Sequence, residues 1–191
     1  MLFRSAAPGV SGVLALMQEF FEQRLQRGFS PALMKALLIN GARSVNPNYD
    51  LSVTNTVNLQ GWGLVSLSNS LPVGLGNSDE RTWPLRFFDQ SPGEAIATGQ
   101  RHNWKLTLSS NAQLEALRVT LVWTDPPGNP GAGIKLVNDL DLIASNLDSG
   151  EVFVGNGIAK GFDFNRPSTN AAAEVDFVNN VENVLDRKSV V

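Results

Sequence analysis

The sequence predicts an α+β chain in which helices come first and an antiparallel β-sandwich or barrel follows. Three observations carry this. Apolar residues recur at three- and four-residue spacing as far as about residue 71. Beyond residue 80 they alternate with polar ones in short runs separated by Gly, Pro, Asn and Asp. Between the two textures lies PVGLGNSDE, residues 72–80, whose turn formers and acidic residues mark a linker or domain edge.

The first helix is expected over Pro8–Arg27. Pro8 suits a first turn, where its missing N–H costs nothing, and Val10, Val13, Leu14, Met17, Phe20, Phe21 and Leu25 follow the helical period before Gly28 supplies a stop. Ser30-Pro31 opens the second helix, with Ser30 as N-cap and Pro31 at the first helical position. Leu33, Ala36, Leu37 and Asn40 line it, and Gly41 sits at its end. An Asn-rich loop over residues 44–59 leads to Gly61-Trp62-Gly63 and a short helical segment, Val65 to Leu71.

In the second half, Trp104, Leu106 and Leu108 alternate with polar residues, as do Leu117, Val119, Leu121 and Trp123. The latter run reads as a half-buried strand with Trp123 in the core. Asp125-Pro126-Pro127-Gly128-Asn129-Pro130-Gly131 is a loop no central strand could accommodate. Leu140, Leu142 and Ala144 form one face of a further strand, with Asp139 and Asp141 on the other.

Composition narrows the function classes. The 191 residues are 42% hydrophobic and 17% charged with net charge −3, an ordinary globular balance without the clustered Lys and Arg of a nucleic-acid surface. No apolar run reaches the ~20 residues a membrane-spanning helix needs. There is no cysteine, so neither a disulfide scaffold nor a thiolate metal site can form. No nucleic-acid or membrane partner is expected, and the chain is expected to be a monomer.

Asp139 and Asp141 are two apart, so on one strand their carboxylates would share a face about 6.6 Å apart at ~3.3 Å rise per residue. Carboxylates that close repel unless solvent or a cation neutralises them. Calcium takes six to eight hard oxygens, and Asn138, Asp163, Asp176, Asn179, Asn180 and Glu182 could add to the shell. The competing reading is a solvated strand face. Among other candidates, the single His102 lies in a strand-like run. Trp83, Trp104 and Trp123 could form a carbohydrate-stacking platform, and Asp79-Glu80 reads as solvated linker charge.

Ala6-Ala7-Pro8-Gly9-Val10-Ser11-Gly12, the Ser30 to Ala42 segment and Gly61-Trp62-Gly63-Leu64-Val65 together resemble subtilisin-like serine proteases. The first resembles the segment directly after the nucleophile in the family's GTSMAAP-type motif. Leu121-Val122-Trp123-Thr124-Asp125, Leu136 to Leu142 and Asn179 to Val184 resemble the C-terminal domain of the alkaline group of that family. The resemblance implies the terminal helices of a subtilisin-like α/β domain over residues 6–75, and most of a calcium-binding β-sandwich or jelly roll over 80–185. It implies a secreted bacterial parent that hydrolyses protein or peptide substrates through an acyl-enzyme. It also implies metal ligands at Asp139, Asp141, Asn179, Asn180 and Glu182.

The chain departs from the pattern at its start. The family's Asp and His precede the serine, and the alignment puts Arg4 on the nucleophile and Ser5 on the following methionine. Ser5 serves as nucleophile only if the chain is one residue short there, and the 191 residues alone are expected to be inactive. Reverse-translated, Met1-Leu2-Phe3-Arg4-Ser5 and Asp186-Arg187-Lys188-Ser189-Val190-Val191 match sequencing-library adapters, so residues 1–5 and 186–191 are read as adapter-derived tails. A non-catalytic β-sandwich binding module is the alternative reading.

Overall fold

A computed structural model describes residues 6–45, 61–71, 85–110, 112–157 and 175–186. Helix α1 spans Ala6–Glu19 and runs on into a π-helical turn, Phe20–Leu25. The wider turn accommodates two consecutive phenylalanines: Phe21 is fully buried while Phe20 packs against its edge at 6.1 Å. Gly28 is not the stop. Gln26 takes the left-handed conformation at φ 50°, and its N–H bonds to the Phe21 carbonyl.

Helix α2, Pro31–Gly41, starts where the sequence places it. Ser30 Oγ accepts the Leu33 N–H at 3.0 Å, and Pro31 fills a position that needs no donor. Asp89 takes the Ser30 N–H at 2.7 Å and its hydroxyl at 2.6 Å, tying the chain beyond the linker to this cap. The short helix α3, Leu67–Ser70, crosses α2 at Gly41, where a Cβ would stand 2.5 Å from the Ser70 nitrogen. Met17, Phe21, Leu33, Met34 and Leu37 form the helical core, and Leu85 and Phe87 close over it. Phe21 meets Phe29 and Phe87 edge-to-face at 5.7 and 5.4 Å.

The β content of the described residues is two antiparallel ribbons. Strand β1, Leu117–Val122, pairs with β4, Val181–Asp186, in a register that sets Leu121 opposite Glu182 and Thr120 opposite Asn183. Strand β2, Ile143–Ser145, pairs with β3, Val152–Val154. Asn146 turns this hairpin: its Oδ1 accepts the Asp148 and Ser149 amides at 2.9 and 3.1 Å, and Gly150 takes φ 75°.

The α+β class is therefore what the structure shows. Trp104, Leu106 and Leu108 form no strand; residues 101–109 are irregular and Trp104 is 58% exposed. The strand expected over Leu140–Ala144 begins only at Ile143, although Leu140, Leu142 and Ala144 keep the inward side of the alternation. Trp123 is in the core as expected, with its Nε1–H on the Asn138 carbonyl at 2.9 Å.

Candidate functional site

The loop before β2, the turn after β3 and the entry to β4 converge on an acidic pole. Its centre is Glu182, placed by the β1–β4 register with its side chain fully buried. Glu182 Oε2 accepts the Leu142 N–H, while Oε1 is buried with no partner among the described residues. Gly155 makes this possible, because a Cβ there would overlap the carboxylate. Burial pushes the Glu182 carboxyl up to about 7; the Leu142 amide opposes that shift, and the carboxylates of Asp141, Asp176 and Asp139 reinforce it.

Asp176 is set the other way. Burial would raise it, but the Asn179 and Asn156 side chains, at 2.7 and 2.6 Å, and the Val178 and Asn179 amides outweigh burial and hold it below its usual range. Asp139 is raised, by desolvation first and then by Asp141 and Asp176. Four carboxyl groups thus share this pole, two of them raised, a field that a proton or a hard cation relieves.

Asp139, Asp141 and Glu182 of the expected ligands belong to this pole, although Asp139 and Asp141 lie outside any strand. Asn179 also reaches it, but as a donor to Asp176. Asn180 does not: it donates to the Trp123 carbonyl at 3.1 Å and accepts the Lys35 ammonium at 2.9 Å. Asn138 turns to Asp125, whose carboxylate also caps the Val137 amide; desolvation would raise it, but the hydrogen bonds from Val137 and Asn138 together outweigh that and hold it below its usual range. Asp163, Ser5, Trp83, Asp79 and Glu80 lie outside the described residues.

Among the described residues no three His, Cys, Asp or Glu side chains close into a ready metal cage. A calcium ion at this pole would draw its oxygens from Glu182 Oε1, the free lone pairs of Asp139, Asp141 and Asp176, backbone carbonyls and water.

Asn156 is the residue the sequence reading missed. At φ 53° it lies beside β4 like a strand residue: its N–H meets the Asn183 carbonyl at 3.0 Å, and its Oδ1 takes the Asn183 amide at 3.0 Å. The Gly155-Asn156-Gly157 turn was the available signal, since Asn tolerates left-handed backbone. His102 is exposed and lies edge-on to Trp104 at 5.8 Å; Trp104 in turn contacts Phe88 at 5.8 Å.

No family model matches the chain. It is 30% identical over 182 residues to the "Serine protease/ABC transporter B family protein tagD" of Dictyostelium discoideum, across 81% of this chain and 10% of that protein. It is 33% identical over 132 residues to the tagA protein of the same organism and name class, across 68% of this chain and 7% of that one. The chain is distantly related to proteins named for a serine protease. It spans between 7 and 10% of the length of these curated relatives. The aligned share of the chain is large enough that both the helical region and the β region contribute to the match.

Proposed function

We propose that the chain carries the helices that follow the nucleophile of a subtilisin-like serine endopeptidase, together with the β region behind them. The observation that carries this is helix α1. Residues 6–17 hold no charged side chain, yet Met17 is the only one of them fully buried; Ala6, Ala7, Pro8, Gly9, Gly12, Ala15 and Leu16 are exposed, Leu16 by 52%. A helix apolar all round belongs inside a larger domain. The Ala6 to Gly12 segment supplies the family motif at the end where a helix dipole favours a developing oxyanion.

In this reading the reaction is peptide-bond hydrolysis. A serine two residues before the position of Ala6 attacks the carbonyl, a histidine takes its proton and hands it to the leaving amine, and an aspartate orients the histidine. The parent would act outside the cell. This chain contributes the scaffold behind the nucleophile, so the 191 residues alone should hydrolyse no peptide. A polypeptide that also holds the preceding catalytic residues should do so and be silenced by organophosphorus reagents. Loss of activity to chelators but not to those reagents would count against a serine mechanism.

The β region would be a jelly roll or sandwich that binds calcium at the acidic pole, supported by the unpartnered buried Oε1 of Glu182. The check is a melting curve with and without calcium; no shift would remove the metal. The exposed Phe88, Trp104 and His102 cluster favours a second reading, a non-catalytic binding module. A compact, soluble monomer that binds a polysaccharide through Trp104 would support that instead.

A further inference from the structure

The C-terminal end of α2 is satisfied from the β region. Arg118 of β1 sends one nitrogen, Nη1, to the carbonyls of Ile39, Asn40 and Ala42 at 3.2, 2.9 and 2.8 Å. These lie in or just past the last turn, where helical carbonyls run short of partners (that of Ile39 also accepts the Ala42 N–H at 3.2 Å) and the dipole favours a cation. The contact is returned. Asn40 Nδ2 donates to the Arg118 carbonyl at 3.2 Å and to Thr120 Oγ1 at 3.0 Å, and Thr120 Oγ1 meets Asn183 Oδ1 of β4 at 3.2 Å. Lys35 of α2 reaches Asn180 just before β4. The partners of Arg118 and Asn40 are 76 to 80 residues away in sequence, so the link is not local chain geometry.

We propose that Arg118 is a positioning residue: the β1–β4 ribbon braces the last turn of α2 and, through the Met17, Phe21, Met34 and Leu37 core, holds α1 in place. The β region is then a structural member of the helical region rather than a tethered appendage. Its consequence for catalysis rests on the protease reading above, because α1 is the helix behind the nucleophile there. The brace itself does not depend on that reading.

Because a single nitrogen makes all three carbonyl bonds, an ammonium on a stem of similar length can replace it. Amide hydrogen exchange on the full chain tests the brace. Arg118→Met should speed exchange over residues 37–43 about tenfold while β1 and β4 amides stay within about twofold. Arg118→Lys should restore most of the protection. Asn40→Ala, which keeps the arginine, should give a smaller increase in the same residues and serves if the methionine variant does not fold. Unchanged exchange over 37–43, an equal rise in both regions, or no rescue by lysine would each overturn the proposal. The readout needs no substrate, so a chain outside the protease class could still show the brace, and a protease could still lack it.

Discussion

The carboxylate of Glu182 occupies the space that a side chain on Gly155 would fill. Gly155→Ala must therefore displace a fully buried acid or shift the turn after β3. The expected loss is about 1–3 kcal/mol, the range for overpacking, measured by denaturant unfolding, and Glu182→Ala in the same background should recover part of it.

Glu182 also sets a pH dependence. Its carboxyl is raised from 4.5 to about 7 in the fold, so between those values the folded state holds a proton that the unfolded chain has lost. Stability contributed by this group is present below about pH 4.5 and declines as pH rises towards 7, by ~3 kcal/mol at most. Glu182→Gln should flatten this slope in metal-free buffer. Asp176 acts oppositely, its contribution being lost only as pH falls below the usual carboxylate range.

Among the described residues Phe21 is the largest fully buried side chain, and it has three aromatic neighbours. Phe21→Ala should cost about 3–5 kcal/mol. Gly41→Ala should also destabilise, since its added carbon meets the Ser70 backbone as well as its hydroxyl, and the backbone cannot swing aside. Thermal melts of the two variants provide the comparison.

The loop between Asp125 and Asn138 is held by Lys135, whose ammonium donates to the carbonyls of Asn129, Pro130 and Ala132. Lys135→Met should leave global melting nearly unchanged while raising protease nicking within residues 126–135 several-fold, because loop opening governs such cleavage. Equal nicking of both chains would refute that role.

Local chemistry made much of this legible. Ser30-Pro31 announces α2 through a side-chain cap and a position that tolerates proline, and the alternation of Leu117 to Val122 marks β1. The apolar half of that alternation also puts Trp123 inside. What escaped depends on distant partners. Arg118 reads as the polar face of a strand until α2 lies against it, and Asn180 reads as a ligand until Lys35 and Trp123 claim it. The Trp104 run misleads because period-2 alternation needs a neighbouring strand, and residues 101–109 pair with none among the described residues.

The central claim is that α1 follows a serine nucleophile. It is tested most directly on a longer polypeptide that joins residues 6–185 to the catalytic residues the reading places before them, treated with a fluorophosphonate and mapped by mass spectrometry. The account predicts one adduct, on a serine two residues before the position of Ala6, with loss of peptidase activity in step. Peptide hydrolysis with no adduct there, or an adduct on another residue, would contradict it.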